Sequence, residues 1–320
     1  MYFPKQFLLS FVFSMAFPAS IFADSNTPDQ LSTISVTATR DAQETLEVPA
    51  SIGVKSAEEI ALDAPAYQKD LFNSIAGVRV TQTGSTLGHM TSIRMPSNTG
   101  PYYLFLQDGI PVQSSGFFNH NGLAYTNFSS AGSAEVLKGA GTELYGSDAV
   151  AATINVISSD PSLNQGHTLK ADAGSDGFYK LGLSSGFKIS EQSSLGFEVS
   201  HAASDGWREH SATERNELNL THFYTLDDNN TFKTIFSANN SDAEMSGSIV
   251  GLDALENDPA SIGDIGPTLA ANPGLEVKRK FDFARVSSEW MHLLNDDVQL
   301  STIAYLRNNR NRYTATWERN

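Results

Sequence analysis

Residues 113–121, with the sequence QSSGFFNHN, combine aromatic and polar side chains within a short stretch. Two rings, Phe117 and Phe118, offer apolar surface. The polar members of the set are Gln113, Asn119, His120 and Asn121. Small-molecule sites combine apolar walls with a few polar groups that orient the ligand. The stretch therefore suits a bulky polar ligand, although the two rings could instead pack against a neighbouring wall of the fold.

The sequence lacks the usual patterns of catalytic and metal sites. It has no cysteine, which excludes a disulfide framework, a zinc–thiolate site and a thiol nucleophile. A lone histidine such as His120 is more often a hydrogen-bonding surface group than a metal ligand. Gly139 and Gly141 begin a glycine-rich run, but Leu144 occupies the third glycine position and no βαβ unit surrounds it. No nucleophile elbow occurs either, so we expect no enzyme activity, no catalytic residues, no cofactor and no resident metal.

A short run of strand-forming residues lies within an otherwise polar N-terminal segment. The run consists of Thr33, Ile34, Ser35, Val36, Thr37 and Ala38. Polar and apolar residues alternate in it, as they do in a β-strand. A strand-former in a tether can pair with the sheet edge of another protein by β-augmentation. From these residues alone, the run could equally be the first strand of the domain that follows.

The overall composition excludes one class of partner. The 320 residues carry a formal net charge of −15, with the charges spread along the chain. Such a chain has little that could neutralise phosphates, so we expect no nucleic-acid partner. No run of about 18 apolar residues follows the N-terminal region, so no downstream helix is expected to span a membrane. A transmembrane β-barrel stays compatible, because its strands alternate apolar and polar residues.

The first 23 residues have the pattern of a secretory signal peptide. Lys5 precedes an apolar run that is too short to span a membrane, and Ala23 offers a small residue for cleavage. A buried N-terminal helix is the alternative. We expect residues 1–23 to be a signal peptide and residues 24–45 to be a flexible segment that contains the strand-forming run.

Residues 46–160 have the mixed pattern of a small α+β domain. Ser56 and Glu59 have the spacing of a capping box at the start of a helix. Asp108 and Gly109 lie between two strand-like runs and predict a tight hairpin. A stretch of about 115 residues with such helices and strands can form its own core.

Residues 161–320 predict about seven antiparallel strands and no helix. Apolar residues such as Leu195, Phe197 and Val199 share one strand face. Short turns alternate with longer loops, the longest at about residues 242–277, which is typical of outer-membrane barrels. A soluble β-sandwich also has strands with alternating apolar and polar residues, but its connections are not expected to be short at one end of the sheet and long at the other. Barrels that hold a plug in the lumen have about 22 strands, so we expect these to be the first strands of a larger transmembrane β-barrel.

Several motifs in the α+β stretch resemble the plug domain of TonB-dependent outer-membrane receptors. The sequence EVLKG at residues 135–139 leads through a Tyr-Gly turn to INVI at residues 154–157. The sequences SIR at residues 92–94 and QDGIP at residues 107–111 resemble two further elements of that domain. Residues 33–38 then resemble the family's coupling box, the TonB box. The resemblance implies an α+β plug domain that is followed by the antiparallel barrel.

The resemblance also implies roles for individual residues. The TonB box, residues 33–38, would pair with TonB of the inner-membrane energising complex. Arg94 and Lys138 would latch the plug to carboxylates of the barrel wall, and those carboxylates could lie beyond this chain. The apical loops of the plug would face the cargo. The ligand-facing residues would be Tyr102, Gln113, Phe117, Phe118, Asn119, His120 and Asn121.

The function implied by the resemblance is energised import of a ferric siderophore or a similar ferric chelate. The protein would lie in the outer membrane of a Gram-negative bacterium, in contact with outer-membrane lipid, after export through the periplasm. Cobalamin, haem and oligosaccharide cargoes remain alternatives within the family. A passive porin or adhesin barrel is an alternative of another class, which the coupling box and the plug disfavour.

Overall fold

The computed structural model describes residues 34–35, 37, 39–40, 43–83, 85–117, 119–295 and 298–314 of the chain. The expected signal peptide lies outside the described residues, as do Thr33, Val36 and Ala38 of the coupling box and Phe118 of the apical loop. No helix in the described ranges is long and apolar enough to cross a membrane.

The first part of the described chain consists of short strands and short helices. In chain order these are β1 (Ile34–Ser35), β2 (Gln43–Glu44), β3 (Ile52–Ser56), α1 (Ala57–Asp63), α2 (Gln68–Asn73), β4 (Arg79–Thr83), β5 (Ser85–Ser92), β6 (Tyr103–Gln107), β7 (Ile110–Pro111), a 3-10 helix (Asn119–Tyr125), β8 (Ala131–Lys138), α3 (Thr142–Tyr145) and β9 (Ala152–Ser158).

A mixed five-stranded sheet forms the centre of this α+β domain. Its strand order is β3-β8-β9-β6-β7, with β6 and β9 parallel and the other neighbours antiparallel. Phe105 on β6, Val136 on β8 and Ile154 on β9 are buried together with Phe72 of α2. Burial of each such side chain contributes about 1.5–3 kcal/mol, so the sheet and α2 share one core.

Two local signals in the sequence predict the structure correctly. Ser56 caps α1, because Glu59 N donates to Ser56 Oγ at 3.2 Å and Ser56 N donates to Glu59 Oε2 at 2.9 Å. Between β6 and β7, Asp108 and Gly109 have φ angles of 54° and 73°. Two consecutive positive φ angles are the geometry of a type I′ turn, which Asp-Gly favours. The predicted capping box and hairpin are both confirmed.

Residues 113–121, which we call the apical stretch, depart from the expected loop at their C-terminal end. Residues from Asn119 onward form the 3-10 helix, which packs against the plug core through the buried side chains of Leu123 and Tyr125. A Cβ on Gly122 would clash with the ring of Phe105. The glycine therefore allows this helix to approach β6 closely, a tertiary contact that the polar composition of the stretch did not indicate.

The second part of the described chain is an antiparallel sheet of long strands. These are β10 (Gly166–Ala173), β11 (Tyr179–Ser190), β12 (Ser193–Ser204), β13 (Thr213–Asp227), β14 (Asn230–Glu244), β15 (Lys278–Asn295) and β16 (Val298–Tyr313). Each strand pairs with the next along the chain. The seven predicted strands are confirmed at close to their expected positions.

The two faces of this sheet differ in chemistry. On β12 and β13 the buried face carries polar side chains, among them Glu198, Arg215 and Glu217. The opposite face carries apolar side chains such as Val199 and Leu220, which are exposed in the described chain. An apolar outer face and a polar inner face are the pattern of a transmembrane barrel wall. This sheet, β10 to β16, is called the wall below, and its polar face contacts the α+β domain, which we call the plug.

Loops are sorted by length between the two ends of the sheet. Tight turns join β11 to β12 and β13 to β14 at one end, and a long connection joins β14 to β15 at the other. That connection contains α4 (Leu252–Asn257), a 3-10 turn (Gly263–Ile265) and α5 (Gly266–Ala271), so the prediction that residues 161–320 contain no helix is wrong. Ile265 packs there with Met245 and Val277 in a small apolar cluster.

Candidate functional site

The predicted coupling segment is docked on the plug. β1 pairs with β2 through Ile34 opposite Glu44 and Ser35 opposite Gln43. The side chains of Ser35 and Thr37 are fully buried, at 0% exposure. One edge of this short strand is therefore already paired within the chain, and its side chains at residues 35 and 37 are covered by the plug.

Glu135 in the middle of β8 forms the main attachment of this segment. Its Oε2 accepts hydrogen bonds from Ser35 Oγ at 2.7 Å and from Thr37 N at 2.8 Å. The carboxyl group is buried, and hydrogen bonds to a carboxylate are stronger than neutral ones. β8 lies between β3 and β9, so the attachment reaches the centre of the plug sheet.

Two further side chains hold Thr37. Tyr145 Oη donates to Thr37 O at 2.9 Å, and Asn155 Nδ2 donates to Thr37 Oγ1 at 3.1 Å. Burial raises the pKa of Tyr145, and the Arg40 guanidinium, 4.8 Å from the ring centroid, opposes that rise in part. The tyrosine hydroxyl therefore keeps its proton and can donate it. Tension on the N-terminal segment would pass through these contacts into β8 and β9.

The expected ligand-facing residues divide into an exposed and a buried group. Tyr102 is 41% exposed and Phe117 is 48% exposed. Gln113 and Asn121 are buried within the plug, and His120 is partly buried. Asn119 begins the 3-10 helix. The structure thus brings Tyr102 and Phe117 to the surface, whereas Gln113 and Asn121 lie beneath it.

A buried histidine lies under the apical stretch. His89 Nε2 accepts a hydrogen bond from Leu123 N at 3.2 Å, and its ring packs against Phe105 with centroids 5.2 Å apart. Burial lowers the pKa of His89 to about 3, with smaller contributions from His120 and Arg279. Burial and Arg279 also lower the pKa of His120. Both imidazoles are therefore uncharged at physiological pH.

The hairpin turn of the plug is held by cationic side chains of the wall. Arg285 on β15 donates from Nη2 to Asp108 Oδ2 at 2.9 Å and from Nη1 to Gln107 O at 2.6 Å. Lys233 on β14 lies 3.7 Å from Asp108 Oδ1. Burial alone would raise the pKa of Asp108, but these two cations and hydrogen bonds from Ser158 hold it below its usual value. The turn is an ionic anchor between plug and wall.

A second anchor lies on β13. Arg215 and Glu217 form a buried pair with Nε and Oε1 2.6 Å apart. Arg215 Nη2 donates to Thr126 O at 2.6 Å, and Glu217 Oε2 accepts from the backbone N–H groups of Phe128 at 2.9 Å and Ser129 at 2.7 Å. The pair thus fixes the chain between the 3-10 helix and β8 against the wall.

The predicted latch residues lie together on the plug. Lys138 Nζ donates to Ala76 O at 3.0 Å. Arg94 is exposed, and its Nη1 would lie 3.1 Å from a Cβ on Gly139. In the described ranges neither residue forms an ion pair with a carboxylate. Their role as a latch to the wall stays a prediction.

Sequence reasoning missed the residues that make the anchors and the docking contacts. Asp108 was assigned to a turn only, although an aspartate there can also pair with a cation. Arg285 and Arg215 occupy inward-facing positions on strands whose side chains alternate between the two faces. A charged residue on a buried face needs a partner. Glu135 stands among apolar residues in a buried strand, which is the same signal. Each partner lies far away in the sequence, so its identity was not visible.

A family model described as TonB-dependent Receptor Plug Domain matches residues 44–153. In sequence, the vitamin B12 transporter BtuB of Vibrio vulnificus (strain CMCP6) is 35% identical over 147 residues, which are 45% of this chain and 23% of that protein. The vitamin B12 transporter BtuB of Vibrio cholerae serotype O1 is 27% identical over 179 residues, 55% of this chain and 28% of that protein.

Solved structures share the fold at low sequence identity. The pyoverdine outer membrane receptor FpvA from Pseudomonas aeruginosa PAO1 has a TM-score of 0.68 at 19% identity, covering 90% of this chain and 42% of that chain. The ferric yersiniabactin uptake receptor FyuA from Yersinia pestis has a TM-score of 0.66 at 16% identity, covering 83% of this chain and 42% of that chain. The chain therefore spans less than half of each of these proteins.

Proposed function

We propose that this chain, whose residues 44–153 match the TonB-dependent receptor plug domain, is part of an outer-membrane receptor of that family, which imports a ferric siderophore or a similar ferric chelate with energy delivered through its N-terminal coupling segment. The proteins that it resembles are transporters and receptors, not enzymes. The outer membrane has neither a nucleotide supply nor an ion gradient. Uphill uptake there requires energy from the inner membrane.

The observation that carries this proposal is the docking of the coupling segment. Ser35 and Thr37 are attached to Glu135, at the centre of the plug sheet, rather than to the plug surface. TonB would pair with this segment by β-augmentation once it is released, and a pull on it would then act on β8 and β9. The plug would loosen from inside, and cargo could pass.

A ferric chelate is our first candidate for the cargo, because Tyr102 and Phe117 are exposed at the apical face and suit a bulky chelate. Cobalamin is the second candidate, since the curated relatives reported above are vitamin B12 transporters. The matched regions make up 45% and 55% of this chain.

Uptake of labelled cargo by the full-length receptor tests the proposal. Cells that express it would receive a panel of ⁵⁵Fe-labelled chelates and ⁵⁷Co-cyanocobalamin, with and without a functional TonB. TonB-dependent accumulation of one iron chelate is the expected result. Accumulation of cyanocobalamin alone would identify cobalamin, and not a ferric chelate, as the cargo. Uptake that is independent of TonB would contradict energised import.

A further inference from the structure

Arg279 at the start of β15 points from the wall towards the plug. Its strand neighbours on the same face, Phe281 and Phe283, contact the ring of Tyr125 in the plug. Nη1 of Arg279 approaches Gly88 on β5 so closely that a Cβ there would clash with it. A glycine at residue 88 therefore leaves room for the guanidinium at the junction of plug and wall.

This guanidinium has no counter-ion in the described part of the chain. Its Nε and Nη1 are buried and have no hydrogen-bond acceptor there. The contact that it does make is with the face of the Tyr313 ring, 4.9 Å from the centroid. An unpaired buried cation is costly, because burial removes its hydration and nothing replaces it.

Among the residues that the structure describes, no carboxylate forms an ion pair with Arg279. His89 and His120 on the plug side are neutral imidazoles. The acidic residues at neighbouring positions in the chain or on the next strand pair with other cations: Glu276 with Lys278, Asp242 with Lys280 and Asp282 with Arg312, the last two pairs on the opposite face of the sheet. Within the described ranges, Arg279 is thus a cation that lacks a partner anion.

We propose that Arg279 binds a carboxylate group of the cargo at the junction of plug and wall. This inference rests on the proposed import function and specifies its cargo: a chelate that carries free carboxylates. The planar guanidinium fork matches the two oxygens of a carboxylate, and the pair forms charge-assisted hydrogen bonds. A neutral cargo would leave the cation unpaired, so Arg279 selects against it.

Binding to the purified full-length receptor in detergent tests this site without any involvement of TonB. The probes are ferric citrate and iron-free citrate, with a neutral ferric trihydroxamate for comparison. The variants are Arg279→Gln and, as a matched control, Arg312→Gln, which makes the same chemical change in the exposed Asp282 pair on the outer face of the sheet. Equilibrium affinity and the citrate-dependent rise in Tm are both measured, since a ligand that binds the folded state raises Tm.

Loss of the charge-assisted pair is expected to weaken ferric citrate binding about 10- to 100-fold in Arg279→Gln. Arg312→Gln should match the wild type, and affinity for the neutral trihydroxamate should not fall in either variant. Citrate should raise the Tm of the wild type but not that of Arg279→Gln. If neither citrate nor ferric citrate binds the wild type, or if Arg279→Gln binds them equally well, the inference is overturned. Carboxylate binding without uptake would instead count against the import function alone.

Discussion

Replacement of Glu135 by glutamine should release the coupling segment from the plug. Glu135 Oε2 receives both the Ser35 hydroxyl and the Thr37 backbone N–H. Glutamine keeps the volume of the side chain, and its amide oxygen can occupy the position of Oε2. The two hydrogen bonds can then persist, but they lose their charge assistance.

The expected cost follows from these two bonds. A hydrogen bond to a charged group contributes about 1.5–3 kcal/mol and a neutral one about 0.5–1.5 kcal/mol. The loss is therefore about 1 kcal/mol for each bond and about 2 kcal/mol for both. A change of about 2 kcal/mol shifts the equilibrium between docked and undocked segment about 30-fold towards the undocked state.

A spin label on the segment would measure this shift. The chain has no cysteine, so Thr39→Cys provides a single attachment point close to the docked Thr37. The label should become mobile in Glu135→Gln without cargo. Glu58→Gln on α1 is the matched control, because Glu58 is exposed and the substitution makes the same chemical change on a helix that does not contact the segment in the described structure. Equal label mobility in the two variants would refute the role assigned to Glu135.

Two further predictions concern the anchoring and the stability of the plug. Asp108→Asn removes the charged partner of the buried Arg285 and should lower the free energy of unfolding by about 3–5 kcal/mol. Asp282→Asn, in the exposed pair with Arg312, should lower it by only about 0–1 kcal/mol. Denaturant unfolding of the full-length receptor compares the two variants, and equal effects would contradict the role of Asp108 as an anchor. Because the pKa of His89 is about 3 in the folded plug and about 6.5 in an unfolded chain, the unfolded state binds the extra proton between these values. The contribution of His89 to the free energy of unfolding should be fully present above about pH 6.5 and fall by about 1.4 kcal/mol per pH unit below it. Tm measured from pH 7 to pH 4 should therefore fall less steeply in His89→Gln than in the wild type. His201→Gln, on the exposed outer face, should keep the wild-type pH dependence.

Local sequence signals were sufficient for most of the secondary structure. The capping box at Ser56 and the Asp-Gly turn at Asp108 depend on residues that lie within a few positions of each other. Strand alternation likewise identified the inner and outer faces of the wall, since side chains of a strand point alternately to its two sides. These features depend on residues that are close together in the sequence, so the sequence was sufficient to predict them.

Features that depend on distant partners could not be predicted in the same way. Arg285 and Asp108 are 177 residues apart, and Ser35 and Glu135 are 100 residues apart. Gln113 and Asn121 have the polarity of ligand-contacting residues, yet both side chains are buried, and Asn121 belongs to the 3-10 helix that packs on the plug core. A polar residue in a loop can serve a ligand or the fold, and tertiary packing decides which.

Import driven through the coupling segment is the central claim, and the variant Ile34→Pro, Val36→Pro tests it most directly. Proline removes backbone N–H donors from the segment, so it should prevent strand pairing with TonB. Binding and uptake of the ⁵⁵Fe-labelled chelate would be measured on the same cells, with the exposed Glu58→Gln on α1 as the control. We predict that the proline variant binds the chelate at the cell surface as the wild type does but accumulates none. Uptake at the wild-type rate by the proline variant would contradict the account.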